Sequence, residues 1–128
     1  GLESNVFLLG YRYNSEDFIV ASDLFVLPSI KDEDMPLVLL SALGYGKPNI
    51  ATDIAGISQV IETNINGVLI KNDLNELTHN LGSEILRLYN DKNLRNQIGV
   101  NAKKKYYNYS PDSYGRELEI IYRSVYAI

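Results

Sequence analysis

Apolar residues in the first part of the chain fall into short runs, each broken by glycine, proline or an acidic loop. Asn5-Val6-Phe7-Leu8-Leu9-Gly10 is such a run, stopped by glycine, and reads as a buried strand. Asn14 or Ser15 can cap a helix carrying Phe18, Ile19 and Ala21, with Glu16 and Asp17 complementing the dipole of its first turn. Residues 23–28 form a second buried strand, closed by Pro28, and residues 29–34 a polar, acidic loop. Pro36 suits the first position of a helix, where its missing N–H costs nothing. That helix carries Leu37, Leu39, Leu40, Ala42 and Leu43 and ends at Gly44 and Gly46. A third strand over 48–52, a turn over 53–56, a short helix over 57–61 and the tight turn Asn66-Gly67 lead to a fourth strand, Val68-Leu69-Ile70.

After Lys71 the spacing turns helical. Asn72 or Asp73 caps a helix running to about residue 89, with Leu77, Leu81, Ile85 and Leu88 on one face. A second helix runs from Asp91 to about residue 107 with Leu94, Ile98 and Ala102 inward. Ser110 caps a third, opened by Pro111, whose buried stripe is expected to be Leu118, Ile121, Tyr122 and Val125. Strands alternating with helices imply an α/β fold. The expectation is a partial Rossmann-like domain: a parallel sheet of about four strands with flanking helices, then C-terminal helices. The first strand begins almost at residue 1, so the single domain 1–128 is expected to be incomplete at its N-terminal side.

Composition narrows the function. An apolar fraction of 45% and a charged fraction of 22% are those of an ordinary globular domain. Sixteen acids against 12 bases give a net charge of −4, the wrong sign for a nucleic-acid binder. The absence of cysteine excludes disulfides, thiolate metal sites and cysteine nucleophiles. No apolar run approaches the roughly 20 residues of a membrane span, and no signal peptide is visible.

Ligands of open α/β sheets sit beyond the carboxyl ends of the strands. Three loops lie there: residues 10–14, 29–36 and 53–57. The second runs into a helix N-terminus, where free N–H groups and the positive dipole end favour an anion. Met35, Leu37 and Val38 can offer N–H groups; Pro36 cannot. A carboxylate beside an anion is costly, so Glu33 makes sense as an acceptor for hydroxyls such as a sugar supplies. Asp32-Glu33-Asp34 lacks the framework of a metal site, and no metal is expected. Asp53 reads as a turn-former, His79 as a surface residue, and Ser29 has no His–Asp pair to activate it. The tyrosines at 106, 107, 109, 114, 122 and 126 read as packing between the terminal helices.

These segments, in this order, resemble the C-terminal domain of family 4 (group 1) glycosyltransferases, retaining enzymes of the two-Rossmann-domain GT-B class. The matching pieces are the run ending at Gly10, then Ala21-Ser22-Asp23-Leu24-Phe25-Val26-Leu27-Pro28-Ser29, then residues 33–42 in the place of the Glu-x7-Glu motif. Gly46-Lys47-Pro48, Ala51-Thr52-Asp53, Gly56-Ile57 and Asn66-Gly67-Val68-Leu69-Ile70 follow at the family's spacing. The resemblance covers residues 5–75 strongly and the terminal helices weakly.

It implies a cytoplasmic enzyme of glycan or polysaccharide biosynthesis, of hexosyltransferase type and membrane-peripheral through a preceding domain. It needs no cofactor; a UDP- or GDP-sugar is the donor substrate. Glu33 would contact the donor sugar as the catalytic-site carboxylate. Asp34, Met35, Pro36, Leu37 and Val38 would hold sugar and diphosphate, and Leu9, Gly10 and Tyr11 would border the base. The motif's second glutamate, which grips the ribose, falls at Ser41, and Gln59 stands where the family often has glutamate. The basic residues that neutralise the diphosphate lie upstream of Val6 in the family, and Arg12 is the only arginine near the cleft. The partner is then an N-terminal acceptor-binding domain of the same parent protein, and the chain alone is expected to be inactive. The changes at Ser41 and Gln59 fit, alternatively, a non-catalytic glycosyltransferase-like binding or assembly subunit; a GT-B sugar-nucleotide epimerase fits the loops less well.

Overall fold

The computed structural model describes residues 1–31 and 33–126. Three strands form one parallel sheet in the order β1-β2-β3: β1 (Phe25–Leu27), β2 (Asn49–Asp53) and β3 (Val68–Lys71). Val26 stands opposite Ile50, and Thr52 opposite Ile70. Helices α1 (Ser15–Ala21), α2 (Leu37–Gly44) and α3 (Ile57–Val60) fill the crossovers. Helices α4 (Leu77–Asn90), α5 (Lys92–Tyr106), a single 3₁₀ turn (Tyr107–Tyr109) and α6 (Pro111–Tyr126) follow.

Successive residues of β2 face opposite sides of the sheet, and both sides are covered. Ala51 packs with Leu39 and Leu43 of α2, with Ile57 and Val60 of α3, and with Ala102 of α5. Ile50 packs on the other side with Val68, Ile70, Leu88 of α4 and Ile98 of α5. Helix α5 thus serves both layers, four residues apart on one face. Its start matches the sequence: Asp91 caps it, accepting from the Leu94 N–H at 2.9 Å. Ser110 caps α6 in the same way, accepting from Ser113 N–H at 3.3 Å. Helix α4 starts later than its spacing suggests. Asp73 caps a turn first, accepting from Asn75 N–H at 3.1 Å, and the helix begins at Leu77.

Two expectations fail. The sheet has three strands among the described residues, where about four were expected. Residues 5–10 are irregular and exposed, with Phe7 73% and Leu8 97% accessible. A strand needs a partner for its N–H and C=O groups, and this run is hydrogen-bonded to none of the three strands. The second is the α6 stripe: the helix forms, but Ile121, Tyr122 and Val125 are more than half exposed and Leu118 is only half-buried. Of the terminal tyrosines, Tyr106 and Tyr109 pack on the core, whereas Tyr107, Tyr114, Tyr122 and Tyr126 stay exposed.

Candidate functional site

The loop from β1 to α2 is fixed on several sides. The buried Thr52 hydroxyl, on β2, donates to the Ser29 carbonyl, with the Leu27 carbonyl 3.5 Å away. Asn72, just past β3, donates from Nδ2 to the Ile30 carbonyl at 3.4 Å. Gly56, in the turn after β2, donates its N–H to the Glu33 carbonyl at 3.2 Å. The approach is so close that a Cβ at Gly56 would overlap the Asp34 carbonyl oxygen. Ala55 beside it sits in the left-handed region at φ 38°, a strained setting for a residue with a Cβ. Two loops at the carboxyl ends of adjacent strands are therefore welded together, as a ligand site there requires.

Glu33 is half-buried, and its Oε1 accepts from the Ser29 hydroxyl at 3.1 Å. That bond leaves its remaining acceptor capacity for other donors. Pro36, expected at the first helical position, is instead the N-cap of α2: its φ is −69° and its ψ is 114°, extended, and its carbonyl accepts from the N–H groups of Leu39 and Leu40. A one-residue shift suffices, because proline has no N–H to lose at either place. The cap supplies no side-chain acceptor. Among the described residues the N–H groups of Leu37 and Val38 have no hydrogen-bond partner. Leu37 is 76% exposed, so this terminus opens outward.

The remaining candidates are spread around this centre. Ser41 lies one turn further along α2 and lines a recess with Glu16 and Tyr45. Leu9, Gly10 and Tyr11 lie in the exposed N-terminal segment, where Arg12 Nε donates to the Leu9 carbonyl at 3.1 Å and Gly10 takes a positive φ of 65°. Gln59 is exposed on α3, and its carbonyl accepts from the Tyr109 hydroxyl at 3.3 Å. A larger recess, about 580 Å³, opens at the opposite end of the strands near Asp23 and Pro48. Its Lys47 and Arg95 are already bonded to backbone carbonyls, and it lies away from Glu33.

Sequence reasoning did not foresee the work of Thr52, Gly56 and Asn72. The family spacing marks Thr52 and Gly56, but their task is contact across 22 to 25 residues, which no local pattern displays. In the sequence Glu16 offers only a dipole partner for α1; its neighbours Ser41 and Tyr45 become visible only in three dimensions.

A parallel α/β sheet with a helix terminus open beyond its strand ends is the arrangement in which such folds place their ligands. The chain belongs to the glycosyl transferases group 1 family, whose model matches residues 1–105. It is 36% identical over 111 residues, or 81% of its length, to a UDP-Gal:alpha-D-GlcNAc-diphosphoundecaprenol alpha-1,3-galactosyltransferase of Escherichia coli, of which it covers 28%. It is 30% identical over 125 residues, or 97% of its length, to the N-acetyl-alpha-D-glucosaminyl L-malate synthase of Bacillus anthracis, of which it covers 32%. The chain thus spans about three-tenths of these curated relatives. The crystal structure of Anabaena HepE in complex with UDP-glucose matches it with a TM-score of 0.77 at 27% identity, over 83% of this chain and 28% of that one. The same protein's complex with UDP shares the fold over the whole of this chain, with a TM-score of 0.84 at 24% identity. No helix among the described residues is long and apolar enough to cross a membrane.

Proposed function

We propose that this chain is the donor-binding half of a retaining glycosyltransferase of glycan or polysaccharide biosynthesis, working with an acceptor-binding domain of the same polypeptide. The observation that carries this is the pairing of the open α2 N-terminus with the Glu33 carboxylate on one welded loop. The diphosphate of a nucleotide-sugar would accept from the N–H groups of Leu37 and Val38 and sit at the positive end of the helix dipole. Met35 and Pro36 would shape the wall on which sugar and diphosphate rest, and the Asp34 backbone, locked against Gly56, would hold that wall still. Glu33 would accept hydrogen bonds from sugar hydroxyls and so orient the anomeric carbon. Leu9, Gly10 and Tyr11 would close over the base.

In the transfer itself the bond between the anomeric carbon and the diphosphate oxygen breaks, the acceptor oxygen forms the new bond on the same face, and the acceptor's hydroxyl proton passes to the departing diphosphate. Negative charge grows on the departing diphosphate, and a fixed helix terminus stabilises that charge without reorganising. Closure of the acceptor domain would exclude water from the donor. The diphosphate needs further cations, for which the family places arginine and lysine upstream of this chain; the chain alone is then inactive.

Support also comes from the Escherichia coli relative, which is named a galactosyltransferase, and from the neighbour crystallised with UDP-glucose. The serine at position 41 favours a second reading, a non-catalytic binding or assembly subunit. Calorimetry of the complete polypeptide with UDP, GDP and their sugars, followed by an assay for sugar transfer, separates the two. Saturable binding with turnover is expected; binding without turnover would favour the subunit, and no heat at millimolar nucleotide would defeat the donor-binding reading.

A further inference from the structure

Ser41 stands where a ribose-gripping carboxylate is expected, and the fold brings a different carboxylate to its side. Ser41, Glu16, Gly44, Tyr45 and Tyr106 line one recess of about 310 Å³. Glu16 reaches it from the first turn of α1, and Tyr45 from the end of α2. The Tyr45 hydroxyl donates to Glu16 Oε2 at 3.0 Å, which fixes the carboxylate across 29 residues of sequence. Among the described residues Glu16 Oε1 accepts no hydrogen bond, so one oxygen remains free. The Tyr106 ring forms a wall, lying 3.3 Å from where a Cβ on Gly44 would be.

The chemistry of this recess is that of a hydroxyl binder. Glu16 offers only acceptors, Ser41 both donor and acceptor, and the ring a flat apolar face. A phosphate would be repelled by Glu16; a vicinal diol supplies two O–H donors and carries no charge. The recess also lies at the right distance from the proposed diphosphate contact. Residues 37 and 41 share a helix face about 6 Å apart along the axis, comparable to the reach from a diphosphate to the ribose hydroxyls of its nucleoside.

We propose that Glu16, held by Tyr45 and assisted by Ser41, grips the ribose diol of the donor nucleotide, supplying from α1 the carboxylate that α2 lacks. This rests on the donor-binding reading above, and it explains how the site can keep a ribose contact without a glutamate at 41. It also makes Ser41 a matched partner: a glutamate there would set two carboxylates in one small recess, and like charges repel.

The test compares UDP or GDP, whichever binds, with its 2′,3′-dideoxy counterpart on the complete polypeptide. The unmodified protein should prefer the ribonucleotide by roughly tenfold or more, the usual range for charge-assisted hydrogen bonds. Glu16→Gln should reduce that preference several-fold while leaving the dideoxy affinity and the melting temperature unchanged. Ser41→Glu alone should not raise ribonucleotide affinity, whereas Ser41→Glu with Glu16→Gln should restore it. A ribose preference that Glu16→Gln leaves untouched would overturn this inference alone; failure of both ribonucleotides to bind would overturn it together with the donor-binding reading.

Discussion

Gly56 donates its N–H to the Glu33 carbonyl at 3.2 Å, and no side chain fits at Gly56 because the Asp34 carbonyl occupies the place of a Cβ. The position of the Glu33 loop is thus set by a backbone contact with a different strand's turn. Gly56→Ala should push that loop away, costing about 1–3 kcal/mol as an overpacked site does. Thermal unfolding should show the loss, and nucleotide-sugar affinity should fall with it. A variant as stable and as tight-binding as the parent would mean that the two loops are not coupled.

Glu33→Gln separates the sugar contact from the nucleotide contact. The amide keeps the shape and the bond to Ser29 but accepts hydroxyl hydrogen bonds less strongly. Affinity for the nucleotide-sugar should drop by roughly tenfold, with affinity for the bare nucleotide unchanged. Calorimetry with both ligands reads the difference. Equal losses for the two would place Glu33 away from the sugar.

Tyr45 carries a pH signature of the Glu16 contact. Its hydrogen bond to the Glu16 carboxylate, and the charges of Glu16 and Asp17, favour the neutral phenol and raise its pKa above 10.0. The folded value is raised, so this contact stabilises fully below the unfolded phenol's pKa and is lost as pH climbs through the folded value. The side chain is exposed, so the effect on stability is small. The phenolate absorbance difference between the parent and Tyr45→Phe should show a tyrosine titrating above the ordinary range, and Glu16→Gln should return it there. A Tyr45 that titrates normally would contradict the contact.

Much of the fold is written locally. The Asp91 and Ser110 caps, the apolar runs of β2 and β3, and the inward residues of α5 announce themselves by spacing and by cap chemistry. What fails is whatever depends on a partner. Val6 to Leu9 are apolar enough for a strand, but apolarity signals a wish for burial and says nothing of which strand will pair. The α6 stripe likewise marks a face without naming its cover, and Tyr122 and Val125 remain in solvent. The site divides in the same way. Residues 33–41 form one continuous loop and helix, so sequence order carries them. Glu16 meets Tyr45 only because α1 packs on α2, and Thr52 meets Ser29 only because β1 pairs with β2.

On the reading proposed above, the diphosphate sits on the α2 N-terminus beside Glu33. Hydrogen exchange of the complete polypeptide, with and without the saturating nucleotide diphosphate, tests it at single amides. The Leu37 and Val38 N–H groups, which have no hydrogen-bond partner among the described residues, should become protected on binding, together with the Gly56 amide that anchors the loop. Protection confined to the opposite recess around Lys47 and Arg95, with Leu37 and Val38 still exchanging freely, would contradict it.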